Sequence, residues 1–307
     1  MLGSLRAAVA KSYWDATWKE PLPGVQFTDP PGDPGLYGPG SAIWYAHSDV
    51  SGLVGGVAGL IIGGLNEPVT HGTNQHSAYS DDPARRLGHT VSFVHAMTYG
   101  GMPVVNKMVS MVRKMHTRVH GNMPDGRPYS AVADTEVGSA NMIWTGVTQA
   151  YGIMLAHRLY HPRPLSDARV DEYYAQYAKI SRLLGAQGDI PETQAEVDAY
   201  FAEIRPRLTY SEETADLLNF FTSPYGETRT TRAGSVLISR AAIDVMPRWA
   251  KDLYRVQTGP AHSAATRATT RTLLAVLRSS LGEPFTSSVS RQRAEATPAE
   301  DPATSAA

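Results

Sequence analysis

The chain of 307 residues contains no cysteine. This absence excludes disulfide bonds, cysteine-ligated zinc or iron–sulfur sites, and a thiolate ligand to iron. The chain also lacks an excess of charge of either sign. Its formal net charge of −1 gives no reason to expect a nucleic-acid partner. It has no phosphate-binding glycine loop and no Gly-x-Ser-x-Gly elbow. The motifs that usually indicate a nucleotide-binding enzyme or an α/β hydrolase are therefore absent from the sequence.

Long hydrophobic runs are missing as well. The longest run, residues 52–65, has 14 residues and falls short of the roughly 18–20 that cross a bilayer. Because Asp49 and Glu67 flank it closely, we expect a buried helix rather than a transmembrane span. Residues 1–18 do not resemble a secretory signal, since their apolar stretch at 7–10 is too short. These features predict a cytoplasmic protein.

Helical periodicity dominates what is present, and no stretch shows the two-residue alternation typical of strands. With 42% hydrophobic residues, the chain can bury a core. We predict one all-α domain over residues 1–282, containing a Pro- and Gly-rich segment at 21–40 and a polar loop at 66–82. Residues 283–307 carry few large apolar side chains, so we expect a disordered tail. The predicted helices are 48–65, 83–99, 103–120, 136–160, 165–184, 191–204, 211–221, 232–244, 247–254 and 260–281.

The predicted helix at 48–65 contains six glycines. Each glycine costs about 1 kcal/mol of helix stability relative to alanine. Two explanations are open for glycines that destabilise their own helix. Either the helix backbone lies close to a bulky group, or another helix packs closely against it. The sequence favours neither.

Polar side chains suited to a site concentrate on two neighbouring predicted helices. Arg113, His116 and His120 follow at i, i+3 and i+7, which is one face of a helix. On the preceding helix, Arg86 and Thr90 lie one turn apart. Arg86 precedes a glycine turn by 14 residues and His116 follows it by 16, so antiparallel helices bring both to one level, about 21–24 Å from the turn. We interpret this arrangement as an iron site, with haem ligated by His116.

Simpler interpretations of these residues stay open. His116 and His120 also fit a two-histidine metal pair, or two surface histidines on a basic helix. The zincin pattern is disfavoured because Thr117 stands where that pattern requires glutamate. Arg86 and Thr90 are suited to a haem propionate or an iron-bound oxygen species, but also to plain solvation.

The order of several short motifs resembles the MpaB-type oxygenase family. The catalytic domain of this family is shared with the rubber oxygenase called latex clearing protein. The resemblance covers about residues 35–255. Its motifs are 37–44, the glycine-rich helix, His76-Ser77, Asp82-Pro83 with Arg86 and Thr90, 112–121, Arg127-Pro128-Tyr129, Trp144, 171–174, 183–185 with Pro191, 205–208 and 247–249.

The resemblance implies an all-α fold with a globin-like core that holds b-type haem. It also implies dioxygen as co-substrate and cleavage of carbon–carbon double bonds in isoprenoid chains. By this resemblance His116 is the proximal iron ligand, and Arg113 is a polar residue beside it. Arg86 and Thr90 belong to the haem pocket. His89 is a distal group, at the position where the rubber oxygenase has a lysine.

Two further site residues follow from the same resemblance: Glu67 matches a catalytic glutamate of the rubber oxygenase, and Trp144 lies among the cofactor-binding residues. In the haem interpretation, His120 together with Arg113 orients the iron ligand. Two positions depart from the family's usual pattern. Glu67 stands where a histidine commonly precedes proline, and Gly146 stands where a histidine commonly follows the tryptophan.

The function predicted is therefore a haem-dependent oxygenase or oxidase. Its substrate is expected to be an apolar or amphipathic small molecule, and an electron donor is a candidate partner. Two alternatives stay open. One is a haem protein that carries or senses a ligand without turnover, and the other is a helical scaffold with no cofactor.

Overall fold

The computed structural model describes residues 23–76, 83–226 and 228–297, together with residues 7, 10, 11 and 13. Of residues 83–87 it describes the backbone alone. Within these residues the all-α prediction is confirmed. The described structure consists of thirteen α-helices, with one short hairpin and one 3-10 turn as the other regular elements. The helices are α1 (Ala42–His47), α2 (Gly52–Gly63), α3 (Glu67–His76), α4 (Pro83–Tyr99), α5 (Met102–His116), α6 (Glu136–Tyr160), α7 (Asp167–Leu184), α8 (Gln194–Ile204), α9 (Glu212–Thr222), α10 (Arg229–Val245), α11 (Arg248–Leu253), α12 (Pro260–Leu281) and α13 (Phe285–Glu295). The hairpin pairs β1 (His120–Asn122) antiparallel to β2 (Pro128–Ser130), and the 3-10 turn is Arg205–Arg207.

Helix ends with strong local signals lie where the sequence predicts them. The helices α4, α6 and α12 have the predicted bounds. The side chain of Thr135 caps α6 by accepting a hydrogen bond from the Gly138 N–H at 3.0 Å. Helix α7 ends at Gly185, whose left-handed backbone (φ 101°) is the conformation that glycine adopts most readily.

Three element predictions are wrong. Residues 67–76, expected as a loop, form α3, whose buried Thr70, His71 and Gly72 are held by packing rather than by an apolar stripe. Helix α5 ends at His116, so that the chain can turn into the hairpin, and His120 lies on β1 instead of on the helix. The disordered tail expected from residue 283 is contradicted for residues 285–295, which form α13.

The core is built around a close crossing of α2 and α6. A Cβ atom added at Gly152 of α6 would lie 2.4 Å from the Gly59 nitrogen and 2.5 Å from the Gly55 carbonyl oxygen. A Cβ at Gly55 would lie 2.4 Å from the Cα of Ile153. No side chain fits at these distances, so the two backbones touch directly. Of the two explanations for the glycine-rich helix, close helix packing is the one that these contacts support.

Within the described residues, no single helix has both the length and the apolar character needed to cross a membrane. Helices α2 and α3 together satisfy that test by length and composition, but they are bent by 105° at the break between them.

Polar contacts hold α13 against the rest of the protein. Arg293 is only 3% exposed, and its guanidinium donates hydrogen bonds to three backbone carbonyls. These belong to Asp33 at 2.8 Å, Phe27 at 3.0 Å and Tyr99 at 2.8 Å. The helix therefore joins the N-terminal segment to the end of α4. Disorder was predicted because residues 283–307 have few large apolar side chains. Composition does not reveal the hydrogen bonds of Arg293 that hold α13 in place.

We expect Gly152→Ala to lower the melting temperature strongly, because its methyl group would overlap the backbone of α2. Overpacked cores lose typically about 1–3 kcal/mol. Gly56→Ala is the matched control on α2, since nothing lies within 4 Å of the added Cβ. The control should be neutral or should gain up to about 1 kcal/mol from helix propensity. Thermal unfolding followed by circular dichroism measures both, and equal effects would contradict the close crossing.

Arg293→Ala should lower stability by at least about 2 kcal/mol, since it leaves three buried carbonyls without their charged donor. Arg291→Ala is the control. The Arg291 side chain is 41% exposed and pairs with Glu283 at the surface, so its loss should cost less than about 1 kcal/mol. Denaturant titration of both variants makes the comparison. A loss at Arg293 no larger than that at Arg291 would show that α13 does not depend on this contact.

Candidate functional site

His116 ends α5 at the interior side of that helix. It is half-buried, and its Nδ1 atom is buried. Met108 and Val112, eight and four residues earlier, are also buried, so His116 continues the inward-facing stripe of α5. The His116 carbonyl accepts a hydrogen bond from the Val119 N–H at 3.0 Å, where the chain turns towards the hairpin. A histidine at this position can present a ring nitrogen to a buried ligand.

The two residues predicted to flank His116 have other surroundings. A Cβ added at Gly185 would lie 3.3 Å from the guanidinium carbon of Arg113, so this cation covers the C-terminal end of α7. The carbonyls and the dipole at that end of a helix favour a positive charge. His120 is exposed on β1, opposite Ser130. Because α5 has already ended, the predicted shared helix face of His116 and His120 is wrong.

The predicted pocket residues of α4 are only partly described. The side chain of Arg86 lies outside the described residues. His89 and Thr90 are half-buried on the same helix. Helices α4 and α5 follow one another across the Gly100-Gly101 turn and contact each other. The pairing of Arg86 and Thr90 with His116 across one cavity therefore stays a prediction.

Glu67, the predicted base, is held in an ion pair. Its Oε2 atom lies 2.5 Å from Nη2 of Arg127, which follows the tight turn of the hairpin. The Nε of Arg127 lies 2.6 Å from Oδ2 of Asp125. The carboxylate of Glu67 is thus engaged by a guanidinium at the half-exposed end of α3.

Trp144 and Gly146 belong to the packing around the helix crossing. Trp144 is fully buried, and its indole N–H donates to the Gly63 carbonyl at 2.8 Å. Its ring packs edge-on against Phe201, with centroids 6.0 Å apart. A Cβ at Gly146 would lie 2.5 Å from Oγ of Ser181, which occupies the space that a larger side chain would need. Trp144 therefore joins α2 to α6, and contact with a cofactor stays a prediction.

The sequence analysis missed a polar cluster between α3, the hairpin and α9. Nδ1 of His71 lies 2.7 Å from Oε1 of Glu213, and Nε2 of His76 lies 3.1 Å from the Tyr129 hydroxyl. The Tyr129 ring contacts both imidazoles, with centroids 5.2 and 5.8 Å away. We call these four residues the α3 polar cluster. No local pattern could reveal it, because Glu213 is 142 residues from its partner.

A second group of histidines, also missed, lies inside the helical core. Nδ1 of His47 lies 2.8 Å from the Thr98 hydroxyl. Burial, together with the neighbouring His95 and His157, lowers the pKa of His47 to about 3. Burial lowers the pKa of His95 to about 4. For His157, burial and the nearby His161 lower the pKa to about 4. These three imidazoles are therefore neutral at pH 7.

These observations define a class of protein: a helical protein that carries a half-buried histidine at an inward-facing helix end and, elsewhere in the fold, two groups of polar side chains. Within the described residues, no three His, Asp or Glu side chains come together as ligands for a bare metal ion.

The comparisons with known proteins supply the family. The family model described as ER-bound oxygenase mpaB/B'/rubber oxygenase, catalytic domain, matches residues 44–278. The chain belongs to this family, so the resemblance seen in the sequence is confirmed. No curated protein and no solved structure matches the chain at a significant level.

Lowering the pH from about 6.5 towards 4 should destabilise the protein. The pKa values of His47, His95 and His157 in the fold lie below the 6.5 of an ordinary histidine. The unfolded chain therefore binds protons that the fold excludes, and the stability present above pH 6.5 is lost as the pH falls through this window. His47→Gln should make the denaturant midpoint less dependent on pH. His262→Gln, at an exposed position, should leave the dependence unchanged. A pH dependence as steep in His47→Gln as in the wild type would contradict this account.

Proposed function

We propose that the protein is a haem b-dependent oxygenase or oxidase acting on an apolar or amphipathic small molecule. Membership of an oxygenase family supports catalysis, dioxygen as co-substrate and a small-molecule substrate. Oxidation or cleavage at a carbon–carbon double bond is the reaction class that the family resemblance favours. The observation that carries the proposal is that the matched region includes α5, with His116 on its inward face.

The described residues fit iron held in a porphyrin better than a bare iron ion. A bare ion requires several protein ligands, and no such group exists among the described side chains. Haem requires only one axial histidine from the protein. His116 meets that requirement, because it is half-buried and follows buried Met108 and Val112 along the same helix face.

In this proposal His116 holds the iron, and residues of α4 complete the pocket. Arg86 is assigned to a haem propionate or to charge near the oxygen species, and Thr90 donates a hydrogen bond there. His89 is assigned to the distal side. When bound, haem supplies the redox chemistry that activates dioxygen. The apolar stripe of α5 excludes water from that region.

His116→Ala should give a folded protein that does not retain haem, because the axial ligand is lost. The measurement is the Soret absorbance and the haem content per chain after expression with a haem precursor. We expect roughly one haem per chain in the wild type. His120→Ala is the matched control, since this exposed histidine lies on β1 and should not affect loading.

Full haem occupancy in His116→Ala would exclude His116 as the ligand. A wild-type protein that stays colourless and free of iron would overturn haem dependence and favour a cofactor-free scaffold. A haem-loaded protein that consumes no dioxygen with any apolar substrate would instead favour a ligand carrier or sensor.

A further inference from the structure

We propose that His71 and Glu213 form a proton-transfer dyad that binds a hydroxyl group of an amphipathic substrate. The inference deepens the proposed function and rests on it for the place of the dyad in the reaction. Its structural basis is independent of haem, because it depends only on contacts within the α3 polar cluster.

Glu67, which the sequence placed among the catalytic residues, has its carboxylate engaged by another side chain. Glu67 is ion-paired with Arg127 at 2.5 Å. His71 lies four residues further along α3, and therefore on the same helix face. It is only 9% exposed. The same face of α3 thus offers a buried imidazole one turn deeper than the engaged carboxylate.

The contact with Glu213 sets the tautomer of the neutral His71 ring. A carboxylate accepts hydrogen bonds, so Nδ1, 2.7 Å from Oε1 of Glu213, carries the proton of the neutral ring. The lone pair of the neutral ring then lies on Nε2. A carboxylate behind one ring nitrogen fixes the tautomer and stabilises the imidazolium that forms when the other nitrogen takes up a proton.

Two buried oxygen atoms, one on α9 and one on α3, have no hydrogen-bond donor among the described residues. They are Oε2 of Glu213 and Oδ1 of Asn74, and neither has a partner in the part of the chain that the structure describes. Asn74 follows His71 by three residues, so both lie on one side of α3. Buried acceptors of this kind normally receive a hydrogen bond from protein, water or ligand. Each of these acceptors is complementary to an O–H or N–H donor.

The cluster lies close to the end of α5 that carries His116. A Cβ at Gly72 would lie 3.0 Å from the Tyr129 ring and 3.7 Å from Val119, which is three residues after His116. His76 is exposed and contacts the Tyr129 hydroxyl, so one edge of the cluster reaches solvent.

The step assigned to the dyad is a proton transfer without electron transfer. The O–H bond of the substrate breaks as an N–H bond forms at Nε2 of His71, the negative charge stays on the substrate oxygen beside the imidazolium, and Glu213 compensates the imidazolium charge. The reverse transfer returns the same proton to that oxygen and restores the neutral ring. The substrate class is an apolar molecule with one hydroxyl group.

The first test is the tautomer of His71 in the wild-type protein, read from nitrogen-15 NMR of labelled histidine. The proposal requires the proton on Nδ1. It also requires that Glu213→Gln changes this signal, whereas Glu212→Gln, at the exposed neighbouring position, does not. A proton on Nε2 in the neutral ring would overturn the proposal without any activity measurement.

The second test compares the binding of 1-octanol and its methyl ether by calorimetry. A site that accepts a hydrogen bond from the hydroxyl should prefer the alcohol by at least about tenfold. That preference should disappear in His71→Gln and Glu213→Gln and persist in Glu212→Gln. An equal preference in all four proteins, or no preference in the wild type, would refute the dyad.

The two proposals can fail separately. Haem-loaded protein that oxidises an alkene but shows no preference for the alcohol would retain the proposed function and reject the dyad. Protein that binds no haem but prefers the alcohol through His71 and Glu213 would retain the hydroxyl site and reject the oxygenase role. Substrate turnover left within about twofold in His71→Gln would remove the catalytic part of the inference.

Discussion

The direct backbone contact between α2 and α6 is the constraint on which the rest of the fold depends. Gly55 and Gly59 on one helix and Gly152 on the other remove the side chains that would separate them. Trp144 then reaches across to the Gly63 carbonyl, at the end of α2. The glycines weaken α2 as an isolated helix. Its stability therefore depends on packing against α6, and the crossing holds both helices in fixed positions.

Fixing this crossing also places the polar residues that the proposals use. Because α2 ends at Gly63 and the chain bends by 105° into α3, that helix leaves the crossing and packs on the hairpin. His71 then faces Glu213 of α9, and α3 lies beside the turn that follows His116. Helix α6 starts shortly after β2, so the hairpin is held between the two helices on which it packs. A rigid crossing can in this way support polar groups contributed by distant parts of the chain.

Local signals predicted much of the helical framework. The glycine after residue 184 predicted the end of α7, and the bounds predicted for α6 and α12 are those observed. The elements that were missed are stabilised by contacts distant in sequence. Helix α3 depends on packing against β2 and α9, and α13 depends on the bonds of Arg293 to carbonyls up to 266 residues away. Composition and periodicity do not contain that information.

The candidate site divides in the same way. His116 could be singled out because its helix has a clear periodicity and its motif resembles a known family. His71 was visible only as a polar residue in an expected loop, and its partner Glu213 lies on a helix that the sequence does not connect to it. Arg113 and Trp144 were chosen by motif, yet their contacts here are with the end of α7 and with α2. Family motifs thus identified the family, but they did not predict these individual contacts.

The most direct test of the account is to locate iron in crystals of the haem-reconstituted protein by anomalous diffraction at the iron edge. The account predicts one iron position, within bonding distance of a ring nitrogen of His116. An iron position at His71 or His47, or no iron at all, would contradict it.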